Sequence, residues 1–186
     1  MGRELRGQVP RRSLGDWSAP ASRPDPVQLV IESHKGRLDW LVPVRVGRMA
    51  ASPYGFLRGA AVVMAADVAR LPGTGITPVI CGDAHLGNFG FYASPERDLV
   101  IDLNDFDEAH PGGWEWDLRR LVASSWVAGR QNGAAEPQCD AAVRPVRGRL
   151  PGRGPGAGLD AVASPVLPAA GREPVAAARD REVAAR

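Results

Sequence analysis

Lysine is nearly absent from this sequence of 186 residues, because Lys35 is the only one and arginine supplies the other basic side chains. Acidic and basic residues almost balance, and the formal net charge of +2 indicates no strongly charged partner. The arginine excess accompanies an end of the chain rich in alanine, glycine and proline. This pattern indicates a GC-rich coding sequence rather than a nucleic-acid interface, so we expect no nucleic-acid partner.

Cysteine and long apolar runs are also scarce. The two cysteines, Cys81 and Cys139, form neither a metal-binding pattern nor a disulfide framework. No apolar run is long enough to span a membrane, and the N-terminus lacks the apolar core of a signal peptide. We therefore expect a cytoplasmic protein without a membrane partner. The sequence gives no indication of its oligomeric state.

The segment between residues 81 and 118 holds an unusual number of polar groups between apolar arms. The apolar run 77–81 predicts a buried strand, and Gly82 ends it. Three polar side chains then fall on the loop at the end of this strand, where catalytic groups usually sit: Asp83, His85 and Asn88.

Two further apolar runs follow this loop. Residues 89–92 and 99–101 flank the turn residues 94–97 and predict a β-hairpin. The second arm returns four acidic side chains to the neighbourhood of the loop: Asp102, Asp105, Asp107 and Glu108. Because converging carboxylates repel one another unless a cation neutralises them, we predict a divalent-metal site. Mg²⁺ fits best, since it takes carboxylate and amide oxygens and is completed by substrate phosphates.

Two alternatives stay open for these residues. In the first, Asp83 and Asn88 only cap the loop and the later acids form a solvated turn. In the second, His85 and His110 join the acids in a metal site of the hydrolytic type, although no paired-histidine motif on a helix supports it.

The motif G-D-A-H-L-G-N resembles the catalytic loop of the aminoglycoside phosphotransferase and choline kinase branch of the protein-kinase-like fold. N-D-F-D-E-A-H-P-G-G-W-E-W-D-L resembles the metal-binding motif of the same branch. The resemblance implies that Asp83 is the catalytic base, that Asn88 and Asp105 bind Mg²⁺, and that ATP is the co-substrate. Asp102 competes with Asp105 for this role because it follows the apolar pair Val100-Ile101, as the family's metal-binding Asp often does, although this match would require a gap before Asp117. The small-molecule acceptor is not identified.

A second resemblance covers residues 2–143. The phrases G-R-M-A-A-S-P-Y-G-F-L-R-G-A-A, C-G-D-A-H-L-G-N-F-G and W-E-W-D-L-R-R-L resemble the bacterial family called domain of unknown function 2252. Members of that family are longer, and the resemblance implies that a glycine-rich loop and a strand lysine follow the present region. A kinase-like site needs both parts to hold the nucleotide, and this chain offers neither.

The remaining elements are predicted to be mainly helical. We expect helices over 26–40, with Asp25 as N-cap and Gln28 completing a capping box, over 56–70, and over 117–129, and a connector over 41–49. Arg58, near the start of the second helix, is a candidate to hold a phosphate or to pair with a carboxylate of the acidic loop. A surface position for Arg58 is the alternative. His85 is a second candidate for contacting substrate or phosphate.

The sequence divides into three parts. The composition of residues 1–24 predicts an extended arm and that of residues 144–186 a disordered tail. For residues 25–143 between them, the resemblance implies an incomplete kinase-like catalytic region of α+β class. Because composition changes abruptly near residue 144, we hypothesise a frameshift or truncation, with a genuine disordered tail as the alternative. The chain is then expected to be inactive alone. A metal-dependent hydrolase and a non-catalytic remnant or binding protein are the competing functions.

Overall fold

Six α-helices and two pairs of short antiparallel strands, together with three short 3₁₀ helices, are the elements of the part of the chain that the computed structural model describes, residue 4 and residues 9–148. The helices are α1 (Pro26–Glu32), α2 (Val42–Ala50), α3 (Pro53–Gly59), α4 (Ala61–Val68), α5 (Trp114–Gln131) and α6 (Glu136–Gly148). The strands are β1 (Val79–Ile80), β2 (Phe89–Ala93), β3 (Leu99–Leu103) and β4 (His110–Pro111). The mixture confirms the α+β class.

The N-terminal helices differ from the sequence prediction. Asp25 caps α1 by accepting from Val27 N, but α1 ends at Glu32, and the backbone then turns through Gly36 at a φ of +81°. The predicted connector 41–49 is instead the helix α2. The alternation of apolar and polar residues in this segment does not have a helical period. Pro43 is nevertheless compatible with a helix, because it lies in the first turn, where a backbone N–H has no hydrogen-bond partner within the helix.

The predicted helix 56–70 is two helices, α3 and α4. The break falls at Ala60, which has φ −116° and ψ 42°. Gly59, the last residue of α3, lies against the Met49 side chain. A Cβ on Gly59 would be only 2.3 Å from Met49 Cγ, so a larger residue does not fit there without a shift of Met49. The break thus lets Met49, Ala60 and Val63 form one buried cluster.

The predicted hairpin is confirmed. Strands β2 and β3 pair antiparallel, from Phe89 opposite Leu103 to Ala93 opposite Leu99. Strand β1 is shorter than predicted, and its partner is β4, a strand that was not predicted from the sequence. The pairing of β1 with β4 brings the acidic segment back to the loop that follows β1.

Helix α5 begins at Trp114 and ends at Gln131, so it is longer at both ends than the predicted helix 117–129. It packs against α6, where a Cβ on Gly129 would lie 2.9 Å from Cys139 Sγ. Helix α6 continues to Gly148, so residues 144–148, at the predicted start of the tail, are helical. The rest of the predicted tail, residues 149–186, lies outside the described residues.

The N-terminal arm is attached to the helices by specific contacts. Arg23 pairs with Asp67 at 2.7 Å, and its guanidinium lies 5.3 Å from the centre of the Trp17 ring. Arg119 Nε donates to Leu14 O at 2.9 Å. Residues 1–3 and 5–8 of this arm lie outside the described residues. Among the helices that are described, none combines the length and the apolar character that crossing a membrane requires.

Candidate functional site

The loop after β1 is held by a carboxylate from helix α5. Asp117 accepts hydrogen bonds from Cys81 N at 2.7 Å and from Gly82 N at 2.9 Å. Gly82 has a φ of +82°, and a Cβ there would lie 2.2 Å from Glu108 O. A residue with a side chain therefore does not fit at this turn, which directs the chain toward Asp83.

Asp83 is bound to a buried arginine that the sequence did not reveal. Arg120 Nε donates to Asp83 Oδ1 at 2.6 Å, and the Arg120 residue is only 3% exposed. The same guanidinium donates from Nη2 to Leu57 O at 2.6 Å. Arg120 therefore fixes one carboxylate oxygen of Asp83. His85 Nε2 lies 3.9 Å from the other carboxylate oxygen, Asp83 Oδ2.

Asn88 joins the loop to the acidic segment. Its Nδ2 donates to Asp105 O at 3.0 Å and to Asp83 O at 3.3 Å, and the residue is buried. The backbone of Asn104 also donates to Asn88 O at 2.8 Å. No donor among the described residues contacts Asn88 Oδ1, so this oxygen is available as a metal ligand.

Asp105 and Asp102 lie in different surroundings. The Asp105 backbone oxygen also accepts from Cys81 Sγ at 3.1 Å, while its Oδ1 accepts from Asp107 N at 3.1 Å. Asp102 lies opposite Gly90 within the hairpin, and its Oδ1 accepts from Leu103 N at 2.8 Å. Both residues are exposed. Of the two, only Asp105 has a direct hydrogen bond with Asn88.

Cys81 is buried beside Asn88, and burial keeps its thiol protonated. Burial raises the pKa of the Cys81 thiol, and the charges of Asp117, Asp83 and Asp105 act in the same direction. The thiol therefore remains a hydrogen-bond donor to Asp105 O. This agrees with a structural role for Cys81 rather than a nucleophilic one.

His85 is buried next to Asp83. His85 is 7% exposed, and its Nδ1 has no hydrogen-bond partner in the part of the chain that the structure describes. Burial lowers the pKa of His85; Asp83 opposes this change, and the positive charges of Arg120 and Arg58 add to it. His85 is therefore neutral at pH 7.

The lowered pKa of His85 predicts a loss of stability in mild acid. Because the unfolded chain, with a histidine pKa of about 6.5, binds a proton that the folded chain resists, stability falls as the pH drops below that value. We expect urea unfolding between pH 7.5 and 5 to show this slope, and His85→Gln to flatten it. The matched change His110→Gln, at an exposed position, should leave the slope intact. Equal slopes for the unaltered protein and His85→Gln would contradict the assignment.

The two histidines of the hydrolytic alternative do not meet in one cluster with the acids. His110 is exposed, lies 2.8 Å from Glu108 O through Nδ1, and packs beside Trp116 with 5.9 Å between ring centres. Across residues 9–148, no three His, Cys, Asp or Glu side chains are grouped so as to hold a metal ion. Mg²⁺ requires fewer protein ligands, because it keeps waters and binds substrate phosphates. Asn88 and Asp105, joined by the hydrogen bond from Asn88 Nδ2 to Asp105 O, carry an amide and a carboxylate oxygen, which are ligand types that Mg²⁺ uses.

Two neutral groups complete the support of the loop. Ser124 Oγ accepts from Leu86 N at 2.8 Å, and Tyr54 OH accepts from Gly87 N at 2.9 Å. Ser124 is fully buried on α5, one turn beyond Arg120. The spacing of Asp117, Arg120 and Ser124 on one helix face was the available sequence signal. This polar spacing is hard to recognise in the sequence, because the apolar pattern of the same helix is more prominent.

Arg58 lines an open cleft that begins at Asp83. The cleft has a volume of about 370 Å³ and lies between α2, α3, α4 and the start of α5. Arg58 is exposed, and among the described residues it makes no hydrogen bond or ion pair. The carboxylate of Asp83 pairs with Arg120 instead. The cleft thus brings Asp83 and Arg58 together, whereas Asn88, Asp105 and Asp102 lie outside its lining.

Comparison with known proteins gives one match. The model of a bacterial family, described as "Uncharacterized protein conserved in bacteria (DUF2252)", matches residues 37–148. This segment contains the loop, the hairpin, and helices α2 to α6. No curated protein and no solved structure matches the chain.

Proposed function

The chain belongs to the bacterial DUF2252 family, and we propose that its described region is the catalytic part of a Mg²⁺- and ATP-dependent phosphotransferase with a kinase-like fold. The acceptor is a small molecule. One observation carries the proposal: the Asn88 amide bonds to the backbone of both Asp83 and Asp105. These contacts bring the loop that carries Asp83 next to the segment that carries Asp105, which supports the proposal because phosphoryl transfer requires a base close to the metal-binding residues.

Each residue has a separate role in this mechanism. Arg120 holds Asp83 Oδ1, which leaves Oδ2 to accept the proton of an acceptor hydroxyl. Asn88 Oδ1 and the Asp105 carboxylate would hold Mg²⁺. When bound, the ion would neutralise phosphate charge. His85, neutral and buried beside Asp83, excludes water from one side of the carboxylate.

The nucleotide clamp is the part that this mechanism still requires. Lys35 lies exposed in the turn after α1, and no glycine-rich loop precedes it. We therefore propose that the chain is inactive alone and that longer family members are active. Reading the gene downstream of codon 130 in all three frames tests this proposal. A second frame encoding a glycine-rich loop and a strand lysine supports it, and the absence of both favours a non-catalytic remnant or binding protein.

The metal site gives a direct test on this chain. Asp105→Asn should weaken Mg²⁺ binding tenfold or more because it removes a charged ligand, whereas Asp102→Asn should leave binding nearly unchanged. Isothermal titration, with Mn²⁺ line broadening of the Asn88 side-chain amide as a second readout, measures both. If Asp102→Asn abolishes binding and Asp105→Asn does not, the assignment is reversed. If the unaltered chain binds neither ion, the proposed magnesium site is wrong.

Catalysis is tested in a longer family member with the same loop. The change corresponding to Asp83→Asn should abolish Mg²⁺-dependent ATP turnover while Mg²⁺ binding persists, because the base is lost and the metal ligands remain. Turnover with Zn²⁺ or Mn²⁺ and no nucleotide would instead favour the hydrolase. A protein that binds Mg²⁺ weakly and nucleotide not at all would favour the non-catalytic alternative.

A further inference from the structure

The cleft beside Asp83 carries more positive charge than its own acids can neutralise. Four arginines line it, against two carboxylates, Asp83 and Glu108. Arg120 is already paired with Asp83. The three others are Arg37, Arg45 and Arg58. In residues 9–148, no acidic side chain forms an ion pair with any of these three.

Two of the three unpaired arginines are held in place by neutral oxygens. Arg37 Nε donates to Ser33 O at 3.0 Å. Arg45 donates to Ser33 Oγ at 3.2 Å and to Gly59 O, and its Nη1 lies 2.9 Å from His34 Nδ1. Arg58 has no such anchor. Neutral oxygens orient guanidinium groups without cancelling their charge, so the unpaired donors remain available to an anion.

Electrostatic repulsion within the cleft supports the same conclusion. The pKa of Arg45 is lowered, first by burial and then by the positive charge of Arg37. Two guanidinium groups that repel each other without a nearby carboxylate are stabilised by any anion placed between them. The protein thus holds an unfavourable arrangement that a bound anion would relieve.

The other walls indicate what accompanies the anionic group. Val62, Met64, Ala65, Val68 and Trp116 supply an apolar surface, while Asp83 lies on the same cleft. A volume of about 370 Å³ falls within the range of small-ligand pockets. A molecule that spans the cleft would place a hydroxyl at Asp83 and a negative group at the arginines. A cationic acceptor would be repelled by those arginines.

We propose that this cleft binds an oxyanion, a phosphate or carboxylate group, and that the acceptor of the phosphoryl group is therefore a hydroxylated, anionic small molecule. The anion site depends on the geometry alone, whereas its assignment to an acceptor rests on the proposed function. The same oxyanion chemistry is present in a nucleotide, so the experiment separates these two sources.

Inorganic phosphate is the first probe, titrated into the ¹⁵N-labelled chain at constant ionic strength. Phosphate should shift the arginine Nε–H signals of Arg37, Arg45 and Arg58. Arg37→Ala and Arg58→Ala should each weaken binding tenfold or more, because each removes a charge-assisted donor. Both residues are exposed, so these variants should fold. Arg48→Ala is the matched control, since Arg48 is exposed on α2 and outside the cleft.

The outcomes decide the proposal in separate steps. No shift of the three signals, or equal weakening by Arg48→Ala, overturns the anion site. Phosphate binding by Asp105→Asn supports it even if the magnesium site fails. Acetate in place of phosphate decides between a carboxylate and a phosphate ligand. Competition with ADP and Mg²⁺ is measured in a longer family member with the same loop, because this chain lacks the nucleotide clamp: displacement of phosphate by ADP overturns the assignment to the acceptor, whereas simultaneous binding supports it.

Discussion

Arg120→Met should lower the free energy of unfolding by about 3–5 kcal/mol, which is the usual cost of leaving one member of a buried ion pair without its partner. The substitution removes the donors to Asp83 Oδ1 and to Leu57 O and leaves both oxygens partly enclosed. Urea unfolding followed by circular dichroism measures the change. Arg120→Lys should recover part of the loss, since it keeps the charge, but its single ammonium nitrogen replaces the two nitrogens with which Arg120 reaches Asp83 and Leu57.

Two comparisons make this prediction specific. Arg48→Ala removes an exposed arginine from α2 and should change stability by less than about 0.5 kcal/mol. The double variant Asp83→Asn with Arg120→Met removes both charges, and it should be less destabilised than the sum of the two single changes. Additive effects in this double-mutant cycle would show that the pair contributes no coupling and would contradict the prediction.

Asp117→Ala should destabilise the protein by about 3–5 kcal/mol and should release the loop that carries Asp83. Its carboxylate accepts two backbone hydrogen bonds, from Cys81 and Gly82, and a hydrogen bond to a charged group contributes about 1.5–3 kcal/mol. Amide hydrogen exchange at Cys81 and Gly82 should accelerate at least a hundredfold, because both amides lose their acceptor.

The conservative change distinguishes a lost acceptor from a general defect in helix α5. Asp117→Asn keeps one oxygen, so protection should persist at only one of the two amides. Asp98→Ala is the control, since Asp98 is exposed in the hairpin turn. If Asp117→Ala accelerates exchange throughout α5 but not at Cys81 and Gly82, the carboxylate serves its own helix instead.

The loop and the hairpin could be predicted from the sequence because their signals are local. Gly82 ends an apolar run, and residues 94–97 have the chemistry of a turn. Neither feature requires knowledge of distant residues. The same local logic failed for α2 and for the break at Ala60, where contacts with Met49 override weak helical preferences.

The support of the site could not be predicted in the same way. Asp117 lies at the start of the predicted helix 117–129, yet its carboxylate accepts hydrogen bonds from Cys81 N and Gly82 N, which lie 36 and 35 positions earlier in the chain. Arg120 directly follows Arg119, and two adjacent arginines in a helix resemble a solvent-facing pair. Its burial depends on how α5 crosses behind the loop, and no local pattern encodes that crossing. The preference for Asp105 over Asp102 likewise depends on the contact of Asp105 with Asn88, which no local sequence pattern shows.

The hydrogen bond from Arg120 to Leu57 has a mechanical consequence. The Arg120 guanidinium donates one hydrogen bond to the proposed base, Asp83, and another to the backbone of α3 at Leu57. Arg58, on the wall of the cleft, directly follows Leu57 in the chain. We therefore expect a displacement of α3, which forms one wall of the cleft, to move the Asp83 carboxylate as well. The planar Arg120 guanidinium is hydrogen-bonded to both and connects them rigidly.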